Sequence, residues 1–379
     1  MIFSRFSKLL LASGALFAIT AQPASAQYAS DIEQRIIGSV VQNIVENVRD
    51  QLLRRRISPP GRLQFSGEEG QFDNRDPFAA NGMENPFGAF AYAKSPYTKA
   101  PPMAAPVSAW LYGANLVGNA DRASTFGTDI HTQTVTGAFD VTKIGIFTAT
   151  DALTFIGTGS HTWSQSYNTF NAPAPDFTAS IPSTSGTLSY LNGGFSADFT
   201  ALLSWNRSSV RNAAPILVVA PPDTSSVAYT GNAQYRFEFP YTVWFEPSAG
   251  VTYTELYTAN FGTKYGDTTE IHGGGRVGFE TKWLGYTIQP TLSGFVYKIV
   301  DSNFPAPGVI IPGAPFAAAI QSNLGGRASG KITVIWTPQF SSYLEAHGSG
   351  TAPTDQRFAL APNPSVQSYG VQGGLRYTW

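Results

Sequence analysis

From Pro106 to the C-terminus, apolar and polar residues alternate one by one along the chain. Tyr229, Gly231, Ala233, Tyr235, Phe237 and Phe239 alternate with Thr230, Asn232, Gln234, Arg236 and Glu238. Ile271, Gly273, Gly275, Val277, Phe279 and Trp283 alternate with His272, Gly274, Arg276, Glu280 and Lys282. Leu324, Gly326, Ala328, Gly330, Ile332, Val334 and Trp336 do so with Arg327, Ser329, Lys331 and Thr333. A period of two is the mark of a strand whose two faces meet different surroundings. Twelve such segments follow, centred near Tyr112, Val135, Phe155, Ser189, Leu203, Tyr235, Val251, Val277, Leu292, Ser329, Leu344 and Val371. They exceed the usual strand of about 5–6 residues and suit the roughly 9–11 that a tilted transmembrane strand needs.

The connections keep a rhythm of long and short. Long ones are expected at Asn119–Thr128, Asn168–Ser183, Arg207–Ser226, Thr258–Thr268, Asp301–Asn323 and Gly350–Pro364. Short ones fall near Asp151, at Ser196–Asp198, Pro240, Leu284-Gly285 and Pro338–Phe340. Short turns on one rim and long loops on the other belong to a membrane barrel. The expected fold is all-β, a 12-stranded antiparallel transmembrane β-barrel over 106–379. An even strand count brings both ends out on the short-turn side. In hydrocarbon an unpaired backbone group costs several kcal/mol, so a sheet can span only when closed. Trp110, Trp163, Trp205, Trp283, Trp336 and Trp379 lie where interfacial girdles form.

Ahead of the barrel the period changes. Ile37, Val41, Ile44, Val48 and Leu52 make one apolar helical face. Ser30 with Glu33 forms a capping box, Arg54-Arg55-Arg56 suits the negative end of the helix dipole, and Pro59-Pro60-Gly61 stops it. An amphipathic helix is thus predicted within 27–57, and its apolar face needs a partner, either the barrel or a second copy. Residues 58–105 read as a Pro/Gly-rich linker. At the start, Arg5 and Lys8, the apolar Leu9–Thr20 run and Ala24-Ser25-Ala26 before Gln27 form a signal peptide with cleavage after Ala26.

Composition narrows the picture. An exported chain without cysteine takes its stability from burial or from a membrane. Charged residues are 13% of the chain, about half the usual share, and aromatics also reach 13%. A net charge of −1 speaks against nucleic acid. His131, His161, His272 and His347 are dispersed without metal-ligand spacing. His272-Gly273-Gly274-Gly275 has no accompanying G-x-S-x-G elbow. Glu345 with His347 is the nearest approach to an acid–base pair, and it lies mid-strand. No catalytic residue, metal or cofactor is assigned. The polar face carries Arg236, Arg276, Lys282, Arg327, Lys331 and Arg376 against Asp140, Glu238, Glu246, Glu270, Glu280 and Glu345. These are expected to line the lumen as cross-strand pairs or as a dock for a plug.

Several segments, in order, resemble the twelve-stranded translocator domain of autotransporters of type V secretion. They are Trp110-Leu111-Tyr112-Gly113, Thr136-Gly137-Ala138-Phe139-Asp140, Phe245-Glu246-Pro247-Ser248-Ala249-Gly250, Gln289-Pro290-Thr291-Leu292 and Gly374-Leu375-Arg376-Tyr377-Thr378-Trp379. The resemblance implies a monomeric barrel in the outer membrane of a Gram-negative bacterium, in contact with its lipids. It also implies insertion by the barrel assembly machinery, which reads a last strand ending in an aromatic residue. Tyr369, Val371, Leu375, Tyr377 and Trp379 match that signal. The family threads a helix through the lumen and carries a passenger outward. Here residues 27–105 leave no room for a large β-helical passenger, and paired asparagines for self-cleavage are absent. The expected function is translocation or anchoring of a short N-terminal segment. The alternative is a small pore or structural barrel plugged by its N-terminal helix.

Overall fold

The computed structural model describes Val40, Val41, Ile44, Val48 and Arg49, and residues 110–379 except 126–127, 149–150, 169–175, 212–222, 304–323 and 353–365. The predicted signal peptide and the linker lie outside the described residues, as does most of the predicted helix.

Twelve strands follow in chain order. They are β1 (Trp110–Thr125), β2 (Thr128–Ile144), β3 (Asp151–Asn168), β4 (Asp176–Asn192) and β5 (Phe195–Arg211). Next come β6 (Thr224–Tyr235, continued by Phe237–Glu238), β7 (Val243–Thr258) and β8 (Lys264–Phe279, continued by Thr281–Trp283). The last are β9 (Tyr286–Asn303), β10 (Leu324–Ile335), β11 (Phe340–Ala352) and β12 (Val366–Thr378). Each pairs antiparallel with its sequence neighbours, and β12 pairs with β1 from Gly113↔Thr378 to Ser124↔Gln367. The sheet closes on itself, so it has no free edge.

Local chemistry sets the turns. Leu284 and Gly285 both have positive φ (51° and 86°), the two-residue arrangement that lets strands of right-handed twist reverse. Tyr241 and Thr242 (φ 64° and 60°) turn the β6–β7 corner after Pro240. The pattern predicted a long loop at Asn119–Thr128, but β1 and β2 pair to Thr125↔Thr128, leaving only 126–127 between them. Around this corner hydroxyl, amide and imidazole groups occupy both faces, so the alternation of polarity fades while the ladder continues.

The outward face is apolar in a belt bounded by aromatic rings. Trp110, Tyr235, Phe279, Trp283, Tyr286, Trp336, Tyr377 and Trp379 are exposed near the short-turn rim, and Trp163, Tyr229 and Tyr369 higher up. Phe195 and Trp205 stand ten residues apart on β5. At about 3.3 Å per residue and a tilt near 40°, that is roughly 25 Å, the height of a barrel's hydrocarbon band. Of the seven tryptophans only Trp244 is buried.

Candidate functional site

The inward face is the candidate site, and it is built from two unlike walls. Strands β2 to β6 present mostly hydroxyls. Thr134 faces Thr162 at 2.9 Å, Thr142 faces Thr154 at 2.8 Å, and Thr158 faces Ser185 at 2.5 Å. Thr187–Thr200 (2.8 Å) and Ser204–Ser226 (2.6 Å) continue the pattern across β4, β5 and β6. A hydroxyl both donates and accepts, so opposed Ser and Thr satisfy each other, and β-branched Thr suits a strand. The carboxylates of this wall, Asp140 and Asp198, sit near its short-turn end.

Strands β7 to β12 present charge and large rings. Glu246 stands opposite Arg276, and Lys331 opposite Glu345, each pair in one rung. Arg376 Nη2 lies 2.9 Å from Asp140 Oδ1, both buried. Arg236 Nε is 3.3 Å from Glu238, and its guanidinium lies 4.6 Å from the Trp244 ring centre. Arg327, Glu270 and His272 also point inward, as their parity in the ladder requires. Rings cover the inward glycines, with Trp244 over Gly278, Phe295 over Gly274, Tyr297 over Gly325 and Tyr343 over Gly374.

Three of the charges assigned to the lumen from sequence stand elsewhere. Glu238, Glu280 and Lys282 are exposed at the short-turn mouth. Their strands break at Arg236 and Glu280, and strict alternation does not carry across a break. Glu280 remains tied to the wall by accepting from Gln289 Nε2 at 3.1 Å.

The lumen is occupied. Val40, Val41, Ile44, Val48 and Arg49 are helical and buried inside the cylinder. Val40, Val41 and Ile44 join one cluster with Ile130, Phe177, Ile181, Leu202, Ala228, Leu256 and Tyr265. Val48 packs on Ile156 and Ala138. Arg49 donates through Nη2 to Asn232 Oδ1, approaches His272 Nε2 at 2.9 Å, and lies 5.3 Å from the Phe295 ring centre. Asn232 in turn donates to Asp198 at 2.7 Å. A guanidinium buried this deeply requires such partners.

These contacts also give direction. Val40, Val41 and Ile44 meet residues such as Phe177, Leu256 and Tyr265, close to the long-loop ends of their strands. Val48 and Arg49 meet Ile156, Ala138 and Asn232, nearer the short turns. The backbone therefore descends from the long-loop side to the short-turn side. Sequence periodicity identified Val41, Ile44 and Val48 as one face, but gave no sign of Arg49 as a contact. Phe295 and Tyr297 could have been noticed, since large rings on the polar parity of β9 break its pattern.

Tyr369, Val371, Leu375, Tyr377 and Trp379 all point outward and are exposed. Trp379 exchanges backbone hydrogen bonds with Tyr112, each 3.2 Å, and its ring centre lies 6.3 Å from Tyr112 and 6.1 Å from Phe139. His347 does not pair with Glu345. Its Nε2 lies 2.5 Å from Asp121 Oδ1, which belongs to β1. Among the described residues no group of three or more His, Cys, Asp or Glu could hold a metal ion.

No protein-family model matches the sequence, and no curated protein matches it. Solved structures do. The β-domain of the Bordetella autotransporter BrkA matches with a TM-score of 0.53 and 14% identity, over 71% of this chain and 99% of that one. The translocator domain of NalP from Neisseria meningitidis matches with 0.44 and 11% identity, over 71% and 88%. The transport unit of AIDA-I from Escherichia coli matches with 0.43 and 10%, over 70% and 89%. The likeness to the BrkA domain is one of fold: this barrel has the architecture of an autotransporter β-domain.

Proposed function

We propose that this chain is an outer-membrane barrel of autotransporter type that anchors its own N-terminal segment through the lumen and presents the residues ahead of Val40 on the long-loop side. The observation that carries the reading is the buried helical segment itself, with Val40 toward the long loops and Arg49 toward the short turns. The fold shared with the BrkA β-domain supports it, as does an outer belt suited to hydrocarbon rather than water. The lumen has the properties of a holder. Apolar residues grip one edge of the segment, and Arg49 is held by Asn232 of β6 and His272 of β8.

A second reading is a pore plugged by this segment, with nothing displayed. It is favoured by the 60 residues (50–109) that separate Arg49 from Trp110 at the start of β1. An epitope placed at Ala29 distinguishes the two. Labelling on intact cells is expected if the segment emerges outside. Labelling only after the outer membrane is permeabilised would remove display and leave the plug. Single-channel conductance then tests the plug, since the full chain should conduct less than a form lacking residues 27–104. Equal conductance would remove the plug as well.

A further inference from the structure

The β1–β12 junction differs from every other in the barrel. Each other pair of neighbours is joined by a turn or loop, whereas β1 and β12 are brought together from opposite ends of the domain. Their pairing therefore closes the longest loop and carries the largest closure entropy. Among the described residues, polar contacts at two heights cross this junction inside the lumen, and each reaches over a whole strand. At the upper end, His347 of β11 donates to Asp121 of β1 at 2.5 Å, passing over Gly370 of β12. His347, Gly370 and Asp121 stand in one rung. At the lower end, Arg376 of β12 meets Asp140 of β2 at 2.9 Å, passing over Gly113 of β1.

Both crossings depend on a missing side chain. A Cβ on Gly370 would lie 2.0 Å from Asp121 Oδ1 and 2.6 Å from His347 Nε2. One on Gly113 would lie 2.6 Å from Asp140 Oδ1 and 2.7 Å from Arg376 Nη2. Asn119 fixes the upper carboxylate by donating to Asp121 Oδ2 at 2.6 Å. On the outside, the Trp379 ring against Tyr112 and Phe139 covers the lower end.

We propose that these two contacts are staples that hold the β1–β12 seam shut from within, so that the occupied lumen is enclosed by a wall that does not part at its closing junction. This goes beyond the proposed function and would hold for the plugged pore equally. The chain has no cysteine, so engineered disulfides report cleanly. The test is the Asp121→Ala/Asp140→Ala double variant, followed by the temperature at which the compact, heat-modifiable band is lost on electrophoresis. The midpoint is expected to fall. Ala120→Cys with Val371→Cys, directly opposed across the seam, is expected to restore it. Gly137→Cys with Gly159→Cys, opposed across β2–β3, is expected not to. An unchanged midpoint in the double variant, or equal rescue by both disulfides, would overturn the proposal. Should the double variant fail to assemble, hydrogen exchange on the unaltered protein decides. The amides of Leu116–Ala120 are expected to be as protected as those of Thr136–Phe139, and exchange tenfold faster at the seam would overturn it.

Discussion

The wall made by β2 to β6 and the wall made by β7 to β12 come from the same alternating pattern, yet they treat the enclosed segment differently. The first meets Val40, Val41, Ile44 and Val48 with Ile130, Ile156, Ile181 and Leu202 set among paired hydroxyls. The second offers Arg276, Lys331, Glu345 and Arg376 with the rings of Phe295 and Tyr343. The ring of Phe295 meets the helical residue Arg49. Alternation says which residues look inward. What they look at depends on which wall they belong to, and the amphipathic segment lays most of its apolar edge on the first, reaching the second at Leu256 and Tyr265 near its upper rim.

The strongest test of that asymmetry places the same charge on each wall. Leu202→Asp puts a carboxylate among Val40, Val41 and Ile44, and is expected to cost about 3 kcal/mol or more and expel the segment. Ser329→Asp, on the charged wall, is expected to leave it in place. Conductance of the two variants is the measurement, and equal conductance would erase the distinction between the walls. Arg49→Ala comes next. Loss of its buried hydrogen bonds is expected to weaken retention by roughly 1.5–3 kcal/mol, seen as intermittent opening. Arg49→Lys should recover only part, because the planar guanidinium also stacks on Phe295.

The hydroxyl wall itself gives a smaller effect with a sign of its own. Thr187→Val leaves Thr200 unsatisfied and is expected to cost about 1 kcal/mol in thermal stability. Thr187→Val with Thr200→Val should cost less than the single change, because neither partner is then orphaned. The smallest effect belongs to the outer rim. Lys264 lies 2.8 Å from Glu255 and 2.9 Å from Asp267, and the hydrogen bond to Glu255, before that to Tyr253, holds the ammonium above the usual lysine range. Its contribution is present at neutral pH and lost only as pH rises through that raised value. Lys264→Gln is expected to change stability by less than about 1 kcal/mol, since the group is partly exposed.

Much of the fold could be read from the residues. Tyr229–Phe239 and Leu324–Trp336 display two faces so clearly that strand, parity and closure follow from them. Strand length was harder to see, because His131, Gln133, His161 and Gln165 put polar groups on the outward face where the ladder continues. The charges were legible as a set and less so as pairs. Glu246↔Arg276 and Lys331↔Glu345 are rung partners, but registry is not visible before the strands are aligned. The His347–Asp121 contact joins residues 226 positions apart and rests on a glycine between them, which no local pattern reveals. The segment around Val40–Arg49 advertised an apolar face without saying where it would go.

The length of the strands has one more consequence. β2, β4 and β5 each run 17 residues, about 40 Å of height at the usual rise and tilt, against a hydrocarbon band near 25 Å. The excess stands above Trp163 and Trp205 as a rigid collar whose outside carries His131 and Gln165. An approaching molecule at the cell surface would therefore meet a stiff cylinder of hydrogen-bonded sheet standing some 15 Å clear of the hydrocarbon. A segment leaving the lumen would be delivered at that height, beyond the crowded headgroup layer.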